Sequence, residues 1–307
     1  MELRHIHYFL VLAEEKNVTK AAEKLCIAQP PLSRQIKDLE EELGSELFIR
    51  SNKGVRLTAA GEKFLDYALQ IEHLADQSKE ALKDVSNGLQ GTLFLATVEG
   101  RAPHMLAEWI ADFHKKYPKV VFNLWNGNSD DVTSRLENRL CDIAIICGPY
   151  DSSTLEGLYV YTEPWAAIMS CDHPLAKKHP SKPGKDTLDT ISVKELAPYE
   201  LIIPSKQSRL HEISGWFDKD SPAPAYIGRL AHTLDAYELA EQNVGIAIYP
   251  ASASIYKNND RICVKRLVNP EVSAKYYLAR IAGRQMTPVA EKFWEHVEQL
   301  VIAGDKF

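Results

Sequence analysis

Gln29, Ser33, Arg34 and Lys37 bring an amide, a hydroxyl and two cations within nine residues. Amides and guanidiniums can pair bidentately with base edges, while hydroxyl and ammonium groups serve bases or phosphates, so this set has the chemistry of nucleic-acid readout. No comparable catalytic set emerges. His104, His114, Asp172 and His173 are scattered, and none falls in a nucleophile elbow, a phosphate loop or an H-E-x-x-H frame. The chain therefore reads as a binder and not an enzyme.

Presenting those side chains together requires a helix. Leu32, Ile36, Leu39 and Leu43 recur at intervals of three and four, and Ala21, Ala22 and Leu25 do the same on a shorter helix just before. Pro30 and Pro31 fit only a first turn, so the second helix starts near Pro30 and turns its N-terminal residues outward. Asn17 caps the first helix ahead of Thr19 and Lys20. Leu3, Ile6, Phe9, Leu10 and Ala13 form an apolar stripe that roofs the pair. Phe48 to Leu57 reads as strand, turn and strand, with Arg50, Lys53 and Arg56 around the tip. Residues 1–58 thus spell a winged helix-turn-helix. Its expected DNA contacts are Thr19, Lys20, Gln29, Pro30, Ser33, Arg34 and Lys37 on the helices, and Arg50, Lys53 and Arg56 on the wing.

Charge is distributed accordingly. The chain has 307 residues and a net charge of −6, with a mean hydropathy of −0.26. Residues 1–58 carry nine Lys or Arg against nine Asp or Glu. Most acids gather at Glu14-Glu15 and from Asp38 to Glu46, leaving Lys20, Lys24, Arg34, Arg50, Lys53 and Arg56 for a one-sided basic face. No apolar run reaches the roughly 18 residues of a membrane span, and the N-terminus is unlike a secretory signal, so a soluble cytoplasmic protein without membrane contact is expected.

Residues 59–88 read as one long linker helix. Phe64, Ala68, Ile71, Ala75, Ser78, Leu82 and Val85 alternate spacings of four and three, a coiled-coil seam about 45 Å long at 1.5 Å per residue. A homodimer through this helix is the expectation, the alternative being a helix folded back on its own domain. Asn87-Gly88-Leu89-Gln90-Gly91 then breaks the helix.

The run Lys20 to Ile36, with its alanine pair, Gln-Pro start and Ser33-Arg34-Gln35-Ile36, resembles the N-terminal domain of LysR-type transcriptional regulators. The likeness continues through Leu47-Phe48-Ile49-Arg50, Leu57-Thr58-Ala59-Ala60-Gly61 and Asp172-His173-Pro174-Leu175-Ala176, and so spans essentially the whole chain. Cys26 to Ile36 is most similar to the subgroup controlling aromatic-compound catabolism. Ala28 departs from the family's usual Ser or Thr, which removes a capping hydroxyl. The resemblance implies binding to double-stranded promoter DNA, dimers and commonly homotetramers, a small-molecule effector, and RNA polymerase as a further partner.

Beyond Gly91, strands and helices alternate, the pattern of an α/β class. Strands are expected at 92–98, 120–125, 142–147, 165–170, 201–203, 245–249 and 275–282, and helices at 105–116, 130–139, 210–217, 234–242 and 289–301. The resemblance makes residues 91–307 a two-lobed periplasmic-binding-protein-like effector domain, with lobe one at 91–161 and 266–307 and lobe two at 162–265. Its ligand would sit at the carboxyl ends of the strands, between the lobes. Strand and helix ends there nominate Thr97, Glu99, Gly100, Arg101, Asn126, Asn128, Cys147, Pro204, Ser205 and Thr233. Helix N-termini favour a carboxylate ligand. The resemblance leads one to expect a small or hydroxyl residue at the position of Glu99. A carboxylate there would repel an anion unless Arg101 or Lys206 neutralises it, which suggests an amino acid; alternatively Glu99 pairs with Arg101 at the surface.

Cys26, Cys141, Cys147, Cys171 and Cys263 show neither a C-x-x-C pair nor metal-ligand spacing, so no metal and no cofactor are expected. Redox sensing through cysteines is the alternative mode of regulation.

Overall fold

The computed structural model describes residues 1–51, 54–83, 89–180, 188–217, 224–254 and 261–303. The chain divides into two compact units, Met1–Gly91 with Asn138–Leu140, and Thr92–Glu137 with Cys141–Phe307.

The first unit opens with α1 (Leu3–Glu15), α2 (Val18–Lys24) and α3 (Gln29–Leu43). Asn17 Oδ1 accepts the Thr19 and Lys20 N–H groups at 2.9 and 3.1 Å, giving α2 its cap. Ala28 leaves α3 without a side-chain cap, and the proline at its first turn needs none for its own nitrogen. Ala21, Ala22, Leu32, Ile36 and Leu39 join Phe9 in one core. The wing, β1 (Phe48–Ser51) with antiparallel β2 (Gly54–Leu57), is fastened at two points. The Val55 N–H donates to the Lys16 carbonyl at 2.9 Å, and a Cβ at Gly54 (φ +119°) would lie 2.8 Å from that oxygen. Glu40 Oε1 accepts the Leu47 and Phe48 N–H groups at 2.7 and 3.0 Å, so α3 itself carries the wing.

Thr58 Oγ1 accepts the Gly61 N–H at 2.9 Å and starts α4 (Ala59–Lys83). Its first half does not offer the expected seam to a partner. Ala68 is fully buried in the unit's own core, Phe64 and Ile71 pack against that core, and the Phe64 ring meets Phe9 edge-on at 4.8 Å. The reason lies in α1, whose apolar stripe needs a second cover besides α2 and α3. Tyr67 and Leu74, seven residues apart, remain 55% and 53% exposed. The Leu82 side chain and Val85 lie outside the described residues, as does the break at Asn87-Gly88.

In the second unit, β3 (Gly91–Val98), α5 (Ala102–Lys116), β4 (Val120–Gly127), α6 (Ser129–Glu137) and β5 (Ile143–Cys147) build the first lobe. Next comes β6 (Leu155–Ser170), a 16-residue strand that serves both lobes. The second lobe adds α7 (Pro174–Lys178), β7 (Thr190–Ser192), β8 (Glu200–Pro204), α8 (Gln207–Ser214), β9 (Ala225–Leu230), α9 (Thr233–Glu241), β10 (Ile246–Pro250) and β11 (Ile262–Val268). Finally β12 (Ser273–Ile281) and α10 (Pro288–Ile302) complete the first. The main sheet path runs β4-β3-β5-β12-β6-β10-β8-β9, with β11 joined to β6 and β7. Along β6, pairing with β12 ends at Pro164 and pairing with β10 begins at Trp165. The chain thus changes lobes at Pro164/Trp165 instead of Tyr161-Thr162. It returns after Val268, because β11 still pairs with β7 there, and not at Lys265-Arg266. Both crossings are antiparallel extensions of one ribbon, a feature that reading for parallel βαβ units does not reveal.

Glu40 belongs to the acidic run from Asp38 to Glu46, yet it satisfies two wing N–H groups. Glu40→Ala is expected to destabilise the first unit by about 1–3 kcal/mol, with Glu40→Gln costing less because an acceptor oxygen remains. Equilibrium unfolding of the two variants measures the difference.

Candidate functional site

On α3, Gln29, Pro30, Arg34 and Lys37 are exposed and Ser33 is half-buried, with Thr19 and Lys20 exposed at the start of α2. Lys37 pairs with Glu41 one turn on at 3.3 Å. Arg34 has no charge partner among the described residues and is free to meet a base or phosphate. Lys24 leaves the expected basic face, since its Nζ is held by Glu14 at 2.7 Å and Glu15 at 2.9 Å. Arg50 pairs in register with Val55 and Arg56 with Ile49, which puts the two arginines on opposite faces of the wing. Lys53 lies outside the described residues.

The second unit holds a cavity of about 80 Å³ between its lobes. Of the residues nominated from the sequence, Glu99, Asn128, Cys147, Pro204, Ser205 and Thr233 line it. Thr97, Gly100, Arg101 and Asn126 do not. Thr97 is buried and its hydroxyl donates to the Val98 carbonyl at 3.1 Å. Asn126 donates to the Thr97 carbonyl at 3.2 Å, bracing the strand end. Arg101 stacks over the Tyr161 ring at 5.2 Å instead of pairing with Glu99, and Gly100 provides the left-handed turn (φ +86°) before it.

Three contacts cross the cavity. Glu99, at the end of β3, accepts the Thr233 N–H at 2.7 Å and meets His232 Nδ1 at 2.8 Å, so it sits on the N-terminus of α9 in the opposite lobe. Lys206 Nζ reaches Asp130 Oδ1 at 2.9 Å. Arg209, only 5% exposed, donates to the Cys147 carbonyl at 3.3 Å, Cys147 Sγ at 3.1 Å and the Gly148 carbonyl, while stacking over Trp165 at 5.5 Å. Asn128 faces the cavity and also caps α6, accepting the Asp130 and Asp131 N–H groups at 2.9 and 3.0 Å. Arg209 and Trp165 were not nominated. The helix expected from Leu210 begins at Gln207, which moves Arg209 into the first turn; Ser205-Lys206-Gln207-Ser208 before it was the available signal.

Surroundings disfavour the thiolate at Cys141, Cys147 and Cys171. Burial pushes the Cys141 and Cys147 thiols up. Burial and a hydrogen bond with Cys263 push Cys171 up to about 12. Thiolate, the reactive form, is therefore scarce at these positions. Among the described residues no group of three or more His, Cys, Asp or Glu side chains could hold a metal ion, and no helix is long and apolar enough to cross a membrane.

A helix-turn-helix with a wing, joined in one chain to a two-lobed α/β unit with a cleft between its lobes, defines a DNA-binding regulator that carries its own ligand-binding module. Residues 3–62 match the family described as bacterial regulatory helix-turn-helix protein, lysR family, and residues 86–301 match the LysR substrate binding domain. The chain belongs to the LysR family of transcriptional regulators, which are not enzymes. It is 37% identical over 178 residues to the HTH-type transcriptional regulator BudR of Raoultella terrigena, covering 57% of this chain and 61% of that one. It is 30% identical over 260 residues to the Hca operon transcriptional activator HcaR of Escherichia coli K12, covering 84% and 83%. The crystal structure of CbnR, a LysR family transcriptional regulator, shares the fold with a TM-score of 0.72 at 24% identity, covering 97% and 99%.

The Glu99 contact raises His232 above its ordinary value of 6.5, aided by Asp235 and Asp131 nearby. Because the bound form favours the proton, the tie between lobes is fully formed below about pH 6.5 and weakens as pH rises through the elevated value. In an NMR titration the His232 midpoint should lie above 6.5 and fall back toward it in Glu99→Gln.

Proposed function

We propose that this regulator reads promoter DNA through α3 and its wing, and that an acid bound between the lobes of its second unit alters that binding. The supporting observation is the cavity's make-up: Ser205, Lys206, Arg209 and the first N–H of α9 converge from one lobe on strand ends of the other. Donors and cations gathered at strand ends favour a carboxylate. Both plain acids and amino acids remain in this class; Glu99 is already satisfied by His232 and Thr233, which favours the plain acid. Cys141, Cys147 and Cys171 supply a poor basis for redox sensing, since their surroundings disfavour the thiolate.

In the DNA-binding unit, Gln29, Ser33 and Arg34 serve the major groove, Pro30 sets the helix start, and Thr19, Lys20, Lys37, Arg50, Lys53 and Arg56 serve phosphates or the minor groove. Two copies join through α4 along Tyr67 and Leu74, and pairs of dimers make the tetramer. Ligand binding changes the angle between lobes and so the spacing of the DNA-binding pairs, which RNA polymerase then senses. The site of action is the cytoplasm.

The full chain, used to select duplexes from a random pool with and without a panel of carboxylates and amino acids, should enrich one imperfect palindrome whose occupancy an acid changes. Enrichment without response to any member would remove the effector reading and leave the DNA reading intact. Arg34→Ala should lose about 1–3 kcal/mol of discrimination at one position of that site. An even loss across sequences would assign Arg34 to phosphate. Tyr67→Asp with Leu74→Asp should lower the mass in sedimentation to that of a monomer.

A further inference from the structure

Histidine is the side chain whose charge ordinarily changes between about pH 5 and 8. Among the described residues, the contacts that cross the cavity through Arg209, Lys206 and Glu99 include one such group, His232, whose Nδ1 stands 2.8 Å from Glu99 Oε1. Other paired histidines of the second unit stay within one lobe. His179 meets Glu195 inside the second lobe, His296 meets Asp112 inside the first, and His104 meets Glu108 one turn along α5. A proton on His232 therefore acts between the lobes.

The charges around that imidazole give the proton its leverage. Every charged group that acts on His232 is a carboxylate: Glu99 just after β3 and Asp131 on α6 in the first lobe, and Asp235 on α9 in the second. Tyr249, buried on β10, feels Glu99 and Asp235 as well, but burial pushes its phenol up and it stays neutral through this range. Protonated, the imidazole is a cation shared by carboxylates of both lobes. Deprotonated, it leaves Glu99 and Asp131 of one lobe to repel Asp235 of the other. His232 is 51% exposed, so its proton equilibrates with bulk solvent. The Thr233 N–H, a donor to Glu99 at 2.7 Å, does not titrate, so the proton grades the tie and does not abolish it.

We propose that the proton is a regulatory ligand of this protein, bound by His232 at the seam between the lobes, so that acid tightens the lobes and base loosens them, with affinity for the promoter site following. This rests on the reading that the angle between lobes governs DNA binding, and it needs no molecule in the cleft. By linkage, the contribution of the tie is complete below the ordinary histidine value of 6.5 and is lost as pH rises through the elevated one. A ligand shifts an equilibrium only by the difference in its affinity for the two states, and the exposure of this pair limits that difference to about a two- to fivefold effect.

Trp109, Trp125, Trp165, Trp216 and Trp294 are the five tryptophans of the chain and all lie in the second unit, so tryptophan fluorescence of the full-length protein reports the unfolding of that unit. Urea unfolding of wild type, Glu99→Gln, His232→Gln and the double variant measures the coupling between the two residues. At pH 6 the coupling should amount to about two- to fivefold in the unfolding constant, and at pH 9 it should fall close to one. Coupling of equal size at both pH values would overturn the proposal. The second arm measures the dissociation constant for the selected duplex at the same two pH values, at fixed ionic strength and with no organic acid present. Wild type should change by about two- to fivefold more than His232→Gln, since His5, His7 and the other histidines contribute equally to both proteins and cancel. His232→Lys, a fixed cation, should lack the response as well. An equal change in wild type and His232→Gln would overturn the regulatory role even with the coupling in place. Binding of no duplex by any of these proteins would count against the DNA reading, and the unfolding cycle would still decide the tie.

Discussion

The buried carboxylate of Glu163 is the interaction on which the two-lobed unit depends. It sits one residue before the point where β6 exchanges β12 for β10, is 2% exposed, and has no cation within salt-bridge reach among the described residues. Burying such a charge is costly unless its oxygens are fully hydrogen-bonded. Three donors meet that demand: the Ser252 N–H at 2.6 Å, the Ser252 hydroxyl at 2.7 Å and the Tyr276 hydroxyl at 2.5 Å. Ser252 follows β10 in one lobe and Tyr276 lies on β12 in the other, so the carboxylate joins the lobes at their hinge. Ser252 Oγ also accepts the Arg101 N–H at 3.0 Å, which fixes the turn that aims Glu99 across the cleft.

Contacts farther from the hinge are of a different kind. Glu99 with His232, and Lys206 with Asp130, are ion pairs with at least one half-exposed partner. Pairs of this exposure contribute about 0–1 kcal/mol each and weaken with salt. Arg209 is the exception, being buried and bound to backbone carbonyls that cannot titrate or leave. Strength therefore falls from the hinge outward: a buried network at β6, a buried guanidinium midway, and exchangeable ion pairs at the rim.

Local periodicity made the DNA-binding unit legible. The α2–α3 pair, the wing and the Asn17 cap are each dictated by residues a few positions apart, and the spacing of Leu32, Ile36 and Leu39 has one sensible reading. Long-range partners were not legible. Phe64, Ala68 and Ile71 fit a seam equally well whether the partner is another chain or α1, and only the tertiary contact with Phe9 separates the two. Lys24 reads as a basic contact from the sequence, yet Glu14 and Glu15, ten and nine residues away, hold it. In the cleft, strand ends located the cavity through Glu99, Asn128, Cys147 and Ser205, because topology alone puts them there. Trp165 was read as part of a strand and Arg209 as the residue before a helix, and their roles arise from a crossing point and a helix start that fall within a few residues of the expected ones. Small errors in boundaries thus become large errors in which side chains meet.

The same grading bounds what an effector must do. A ligand shifts a two-state equilibrium only by the difference in its affinity for the two states, and a swing from mostly one to mostly the other takes about 5.5 kcal/mol. Were the lobes held by buried pairs throughout, a molecule of a few heavy atoms could not supply that difference. The ties at Glu99–His232 and Lys206–Asp130 are worth little individually, so each can be exchanged at small cost.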